Sequence, residues 1–346
     1  RMPAPPLDRL LQLVDRMAGC PVAMLVDLVA DRFITGTPKR ISREAPVLIL
    51  SYQGESLVPG GGANAVANVA ALGGRPCPLG VVGDDSSGRE LLEHLRRLGV
   101  ATEGIVLRPD YRTPTKVRIL GGGKHAIKQQ IVRYDIEETL TLTPAERQRF
   151  ADLLRSWRGQ IGVGILSDYG YGSVVPDLLP LVREALGPGC ILLCDSRYRL
   201  GEFQGLDAAT PNEEEAEQLV GSAINDDPER LREAGQRLRQ RLGARFLLIT
   251  RGSRGMSLFA EWGALHLPVH GTDQVADVTG AGDTVIGTFG LALAAGATPE
   301  EAAVLANYAG GVVVMKMGTA TLDREELKRA LRGNPRPLEE MRWEKF

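Results

Sequence analysis

Asp277-Val-Thr-Gly-Ala-Gly-Asp-Thr284 is a glycine-rich loop that runs straight into an apolar helical pattern. It sets Asp283 beside the first backbone N–H groups of a helix. Those donors lack intrahelical partners, and the helix dipole is positive there, so the turn suits an anion. An aspartate next to a bound anion has an evident use, which is to take the proton from a nucleophile attacking a phosphoryl group. The stretch therefore points to phosphoryl transfer from a nucleotide to an alcohol.

Outward from this loop, short apolar runs alternate with helical patterns. Val22–Val26, Leu79–Val82, Ile161–Leu166, Ile191–Cys194 and Phe246–Ile249 read as strands, and Gly62–Leu72, Gly88–Leu98, Ala145–Trp157 and Pro228–Arg241 as helices. That alternation predicts an α/β fold with a mostly parallel sheet covered on both faces. Two segments break the rhythm: Pro46–Tyr52 and Thr115–Tyr134 are rich in β-formers, and the second holds Gly121-Gly-Gly123. In the second, Lys116, Arg118, Lys128, Gln130 and Arg133 alternate with apolar positions, the pattern of a half-exposed antiparallel sheet. Such an insert would serve as a lid over a site that must exclude water, or be a plain surface hairpin. The tail from Gly333 onward is expected to pack loosely.

The bulk numbers set limits. The chain has 346 residues, 43% of them hydrophobic and 24% charged, with net charge −2. This is a globular composition with no basic block to engage a nucleic acid. No apolar run approaches the ~20 residues that cross a bilayer, and Leu7–Met17 reads as an amphipathic helix rather than a leader. Cys20, Cys77, Cys190 and Cys194 form no CxxC pair and read as reduced core thiols of a cytoplasmic protein. The four histidines have no metal-ligand spacing.

Several further motifs have two readings each. In Pro59-Gly-Gly-Gly-Ala-Asn64, three glycines let a ligand touch the backbone, and Asn64 is placed to bond a polyol hydroxyl; a loop-to-helix cap competes. The dinucleotide fingerprint is not matched there, and no Walker loop is present. Asp31, a few residues past the first strand, is placed to accept sugar hydroxyls or to cap a loop. Asn212 and Glu215 open a helix in Thr210-Pro-Asn-Glu-Glu-Glu215, where they form a good cap or hold Mg²⁺ near phosphates. In Thr250-Arg-Gly-Ser-Arg-Gly255 the glycines suit a nucleotide loop or a simple turn. Asn307 would line an adenine pocket or serve its own helix.

The order of these motifs resembles the ribokinase-like carbohydrate kinase family, from about Val22 to Leu331. Within it, the chain is most similar to the D-glycero-D-manno-heptose-7-phosphate kinases of lipopolysaccharide-precursor synthesis. That likeness is carried by Arg40-Ile-Ser-Arg-Glu-Ala-Pro46, Pro59-Gly-Gly with Ala63-Asn64, Leu166-Ser-Asp-Tyr169, Thr250-Arg with Gly255-Met-Ser-Leu258, the Asp277–Gly287 run, and Lys316-Met-Gly-Thr319. The resemblance implies a three-layer α/β/α domain over residues 1–346, with β-lid segments near 33–56 and 108–135 that often mediate a homodimer. It implies ATP and Mg²⁺, with a monovalent cation as a further candidate, and no appended adenylyltransferase domain. Asp283 would be the general base, and the N–H groups of Gly280, Ala281 and Gly282 the anion hole. Asp31, Gly61, Gly62 and Asn64 would bind the sugar, with Lys116, Arg133 and Arg40 meeting its phosphate. Asn212, Arg197, Thr250, Gly252, Gly255 and Asn307 would border the nucleotide, and Glu215 would organise Mg²⁺. The chain departs from the pattern at Asp27, where Gly-Asp is usual, and at Tyr171 and Arg197, where relatives carry lysine. The implied reaction is phosphorylation of heptose 7-phosphate at its anomeric hydroxyl. A kinase of another sugar or nucleoside, or a non-catalytic sensor, are the competing readings.

Overall fold

Alternating side chains along the central strands pack into two separate apolar layers. Met24 and Val26 face one core, and Ala23 and Leu25 the other; Leu193 and Leu192 divide in the same way. This period of two is what a sheet buried on both faces requires. The computed structural model describes residues 3–271 and 277–346.

In chain order the elements begin with α1 (Leu7–Arg16), β1 (Pro21–Val26), β2 (Leu28–Ile41), β3 (Leu48–Gly61) and α2 (Gly62–Ala71). Next come β4 (Arg75–Gly83), α3 (Ser86–Arg97), β5 (Ile105–Arg108), β6 (Thr115–Gly121), β7 (Gln129–Ile136) and α4 (Pro144–Ser156). β8 (Val163–Asp168), α5 (Leu178–Leu186), β9 (Ile191–Ser196), β10 (Ala208–Ala209), α6 (Glu213–Val220), α7 (Pro228–Leu242) and β11 (Phe246–Thr250) follow. The chain closes with β12 (Met256–Ala260), β13 (Gly263–Leu267), α8 (Ala281–Ala294), α9 (Pro299–Val313), α10 (Arg324–Gly333), α11 (Arg336–Glu339) and β14 (Arg342–Lys345).

The large sheet has the order β14-β13-β12-β11-β10-β9-β8-β1-β4-β5. It is parallel from β5 to β11 and antiparallel from β11 to β14. Helices α2, α8 and α9 contribute to one core, while α4, α5 and α7 contribute to the other. No helix among the described residues is long and apolar enough to cross a membrane.

A second sheet, β3-β2-β6-β7, stands apart from the first. Its strands differ from the sequence expectation. β2 and β3 extend over residues 28–61 rather than 33–56, and residues 105–108 pair with β4 in the large sheet. The polar tract around Arg32 and Lys39 hides β2, because a strand paired on both sides but exposed on its faces needs no apolar run. Asp31 accordingly lies within β2, not in a loop after β1.

The tail also differs from expectation. Instead of packing loosely, it forms α11 and then β14, which pairs antiparallel with β13. Trp343 packs against Trp262 with ring centroids 5.2 Å apart, and Glu344 Oε2 lies 2.8 Å from His266 Nε2. Four residues are too few to display a period, so the sequence concealed this strand.

Candidate active site

Asp283 sits in the first turn of α8 and is 2% exposed. The turn exists because Gly280, at the N-cap, takes φ +79°, a left-handed conformation that glycine adopts without a Cβ penalty. Asp277 braces the loop from outside, since its carboxylate accepts the N–H groups of Thr279 at 2.9 Å and Gly318 at 3.1 Å. Of the three expected anion-hole amides, that of Ala281 is engaged by the Val278 carbonyl at 3.2 Å. The Gly282 amide, next along, is a first-turn donor for which the helix supplies no acceptor.

Both carboxylate oxygens of Asp283 are held. Asn64 Nδ2 donates to Oδ2 at 3.0 Å, and the Tyr169 hydroxyl donates to Oδ1 at 2.6 Å. Asn64 is fixed by Asn68, one helical turn on, whose Nδ2 reaches Asn64 Oδ1 at 3.2 Å; Thr284 donates to Asn68 Oδ1 at 2.9 Å. Burial raises the pKa of Asp283 to about 6, against the hydrogen bonds from Tyr169 and Asn64, which lower it. A carboxyl so tuned is ionised at neutral pH yet basic enough to take a proton.

Two cavities of about 630 Å³ each meet at this turn. The first lies under the small sheet and holds Asp283 together with Asp31, Gly61, Lys116, Arg118, Arg133 and Arg197. The second is lined by Thr250, Gly252, Gly255, His270, Val285 and Asn307. Asp195, Asn212, Glu215 and Gly282 border both. A polar chamber carrying Asp283 and four cations thus joins a second chamber at a helix N-terminus.

The chain carries the matching family signature. Residues 24–158 and 183–326 match the family model described as "pfkB family carbohydrate kinase". It belongs to the pfkB family of carbohydrate kinases. This kinase is 40% identical over 335 residues to the "Bifunctional protein HldE" of Mesorhizobium japonicum, covering 94% of the chain and 65% of that protein. It is 41% identical over 310 residues to the protein of the same name from Chromohalobacter salexigens, covering 89% and 63%. The chain thus spans about two thirds of the length of these curated relatives. Among solved structures, an Arabidopsis thaliana ribokinase complexed with ribose and ATP superposes with TM-score 0.71 at 21% identity, over 91% of this chain and 99% of that one. The Escherichia coli phosphofructokinase-2 in complex with substrates and products gives 0.72 at 18%, over 90% and 98%. At such low identity these two speak for the three-layer fold with its small second sheet.

The other residues singled out in the sequence have varied surroundings. Lys116, Arg133 and Arg197 reach the first chamber; Arg133 also binds Asp135 through two hydrogen bonds of 2.8 and 2.7 Å. Arg40 lies near the exposed end of β2, away from the residues lining either chamber. Gly62 and Gly255 are packing glycines: a Cβ on Gly62 would meet Val26 Cβ at 2.5 Å, and one on Gly255 would strike the Leu267 carbonyl at 1.9 Å. Asn64 serves Asp283 rather than opening into the chamber, as its amide already donates to Asp283 and to the Gly280 carbonyl. Asn307 donates to the Pro268 carbonyl at 2.8 Å. Asn212 and Glu215 form a reciprocal capping box on α6, with bonds of 2.7 and 2.9 Å, while still facing both chambers.

Sequence reasoning gave no role to Arg118, Tyr169 or Asp195. Arg118 lies 3.5 Å from Asp31, whose carboxylate is 3% exposed. Asp195 is the penultimate residue of the central strand β9, at the junction of the chambers, where burial and the carboxylates of Glu215 and Asp283 push its pKa well up. The signal for Asp195 was available, since it follows the apolar run of β9 at its carboxyl end, where such sheets bind ligands. Tyr171 donates to Glu137 at 3.0 Å and does not line the first chamber.

Proposed function

We propose that this kinase transfers the γ-phosphoryl group of ATP to the anomeric hydroxyl of D-glycero-D-manno-heptose 7-phosphate, giving the 1,7-bisphosphate. The observation that carries the reading is the set of four cations, Lys116, Arg118, Arg133 and Arg197, around the chamber that holds Asp283. Burial lowers the pKa of Lys116, and the neighbouring arginines lower it further against the pull of Asp31. Crowded like charges of this kind are relieved by a dianionic ligand, which arginine also recognises in a geometrically specific way. Arg118 already pairs with Asp31 and Arg133 with Asp135, whereas Lys116 and Arg197 form no ion pair among the described residues, and a neutral sugar would leave those two without an anionic partner.

In this reading the acceptor hydroxyl gives its proton to Asp283 as its oxygen bonds to the γ-phosphorus, and the bond to the bridging oxygen breaks to release ADP. The Gly282 N–H and the positive end of α8 stabilise charge on the transferring group. Asp195 and Glu215 suit a hard divalent cation, because two oxygen-donor side chains whose charged forms are disfavoured by burial stand beside the phosphate turn. Among the described residues no three acidic, histidine or cysteine side chains converge on one point, so Mg²⁺ held there would take its other ligands from water and phosphate oxygens. It would neutralise phosphate charge.

The small sheet is read as a lid that also pairs two subunits. It carries exposed Ile41, Leu48, Tyr52, Ile131, Val132 and Tyr134, an unusual concentration of apolar surface for one four-stranded sheet.

The test is ATP consumption over a panel of phosphorylated and neutral sugars, including heptose 7-phosphate and the unphosphorylated heptose. Heptose 7-phosphate should give the highest kcat/KM. A neutral sugar turned over as efficiently would remove the role assigned to the four cations.

A further inference from the structure

Tyr169 follows β8 on a turn that is tied down from two sides. The buried Asp27 carboxylate accepts the N–H groups of Tyr169 at 2.8 Å, Tyr171 at 3.2 Å and Ser173 at 3.0 Å. Asp168 accepts the Gly170 N–H at 2.9 Å and is itself gripped by Arg199 at 2.8 and 3.1 Å and by Ser196 at 2.8 Å. A loop held by this many charge-assisted bonds has little freedom to move. It delivers one phenol hydroxyl to Asp283 Oδ1 at 2.6 Å, while the Lys116 ammonium of the small sheet stands 5.9 Å from the centre of the same ring. So short a bond to a buried carboxylate does more than fill space.

We propose that Tyr169 is a positioning residue for phosphoryl transfer: its hydroxyl fixes the rotation of the Asp283 carboxylate and favours its ionised form, presenting a charged base to the acceptor hydroxyl. The inference rests on Asp283 being the base. Tyr169 itself exchanges no proton. Burial and the nearby Asp283 and Asp195 charges push its pKa well above that of an ordinary phenol, so it remains a donor throughout. The proton lost by the acceptor stays on Asp283, and the phenol continues to donate to Oδ1. Asn64 restrains Oδ2 from the opposite side, so the pair of donors sets the carboxylate plane. The other charged groups facing Asp283 are Asp31 from β2, which raises its pKa, and Lys116 from β6, which lowers it; Asp195 faces it from β9. Removing the phenol hydroxyl costs the ionised form more than the protonated one, because a hydrogen bond to a charged acceptor is the stronger of the two.

The experiment follows the Asp283 carboxyl by carbon NMR in protein labelled with ¹³C-aspartate, its signal assigned by loss in Asp283→Asn. In Tyr169→Phe the titration midpoint should rise by about one pH unit, the expected size for a lost hydrogen bond to a charged group. The acidic limb of kcat/KM, measured with heptose 7-phosphate or the best acceptor of the sugar panel, should move with it. Activity should then fall several-fold more near pH 6 than near pH 8. Replacing Tyr169 by 3,5-difluorotyrosine keeps the ring and strengthens the donor, and should move the midpoint downward. Fluorescent-nucleotide binding within about twofold of the parent protein establishes that the variants are folded. An unmoved midpoint in both variants, with Asp283→Asn inactive, overturns the role of Tyr169 alone. Near-normal turnover of Asp283→Asn overturns the base on which the inference rests.

Discussion

Asp283 illustrates how a residue acquires chemistry from its surroundings. Its position beside two glycines and a helix was legible from sequence, but its basicity arises from enclosure by α2, β8 and α8. Replacing it with Asn keeps the volume and removes the proton acceptor. Turnover should drop by about 10²–10⁴-fold, the usual worth of a positioned general base, while nucleotide binding, measured by fluorescence titration, changes little. The pH dependence follows from the raised pKa. Below about 6 the carboxyl is protonated and cannot accept the acceptor's proton. The rate should therefore climb as pH rises through about 6 and level off above it; a limb near the ordinary aspartate range, about 4, would contradict the buried setting. Asn64 marks the limit of reading residues singly. Its spacing suggested a sugar contact, whereas the fold spends its amide on Asp283.

At the scale of elements, most of the strands and helices announced themselves. Those of the large sheet are short apolar runs, and those on its faces carry helical periodicity. The strands that escaped are β2, with its polar face, the two-residue β10, the hairpin strands β12 and β13, and the edge strands β5 and β14, each four residues long. Turn chemistry was partly legible: the capping box of Asn212 and Glu215 follows from residue type alone. Gly62 shows what was not. Its N–H donates to the Asp27 carbonyl at 2.8 Å, and its missing side chain lets α2 approach β1. In Gly62→Ala the added methyl would press on Val26, and α2, which carries Asn64, would have to shift. A loss of about 1–3 kcal/mol of stability is expected for such overpacking, read from urea denaturation, together with reduced turnover.

At the scale of the molecule, the site is a seam between separate constructions. β2 and β6 of the small sheet bring Asp31, Lys116 and Arg118; the carboxyl ends of β8 and β9 bring Tyr169 and Asp195; α8 brings Asp283. If the small sheet also pairs subunits, charge on its exposed apolar surface should separate them. The double variant Tyr52→Glu with Ile131→Glu should sediment as a monomer at concentrations where the parent protein sediments as a dimer. Parent protein that is monomeric throughout would dispose of that assembly.

Sequence alone determined the layered α/β architecture, and the glycine-rich turn that opens a helix with its aspartate, because these depend on local periodicity and on glycine at fixed spacing. Tertiary structure alone decided which donors grip that aspartate, how basic it is, and that cations from the paired strands β6 and β7 and from the turn after β9 share its chamber. Those properties depend on burial and on distances between residues far apart in the chain, such as the 114 positions between Tyr169 and Asp283, and no local pattern encodes them.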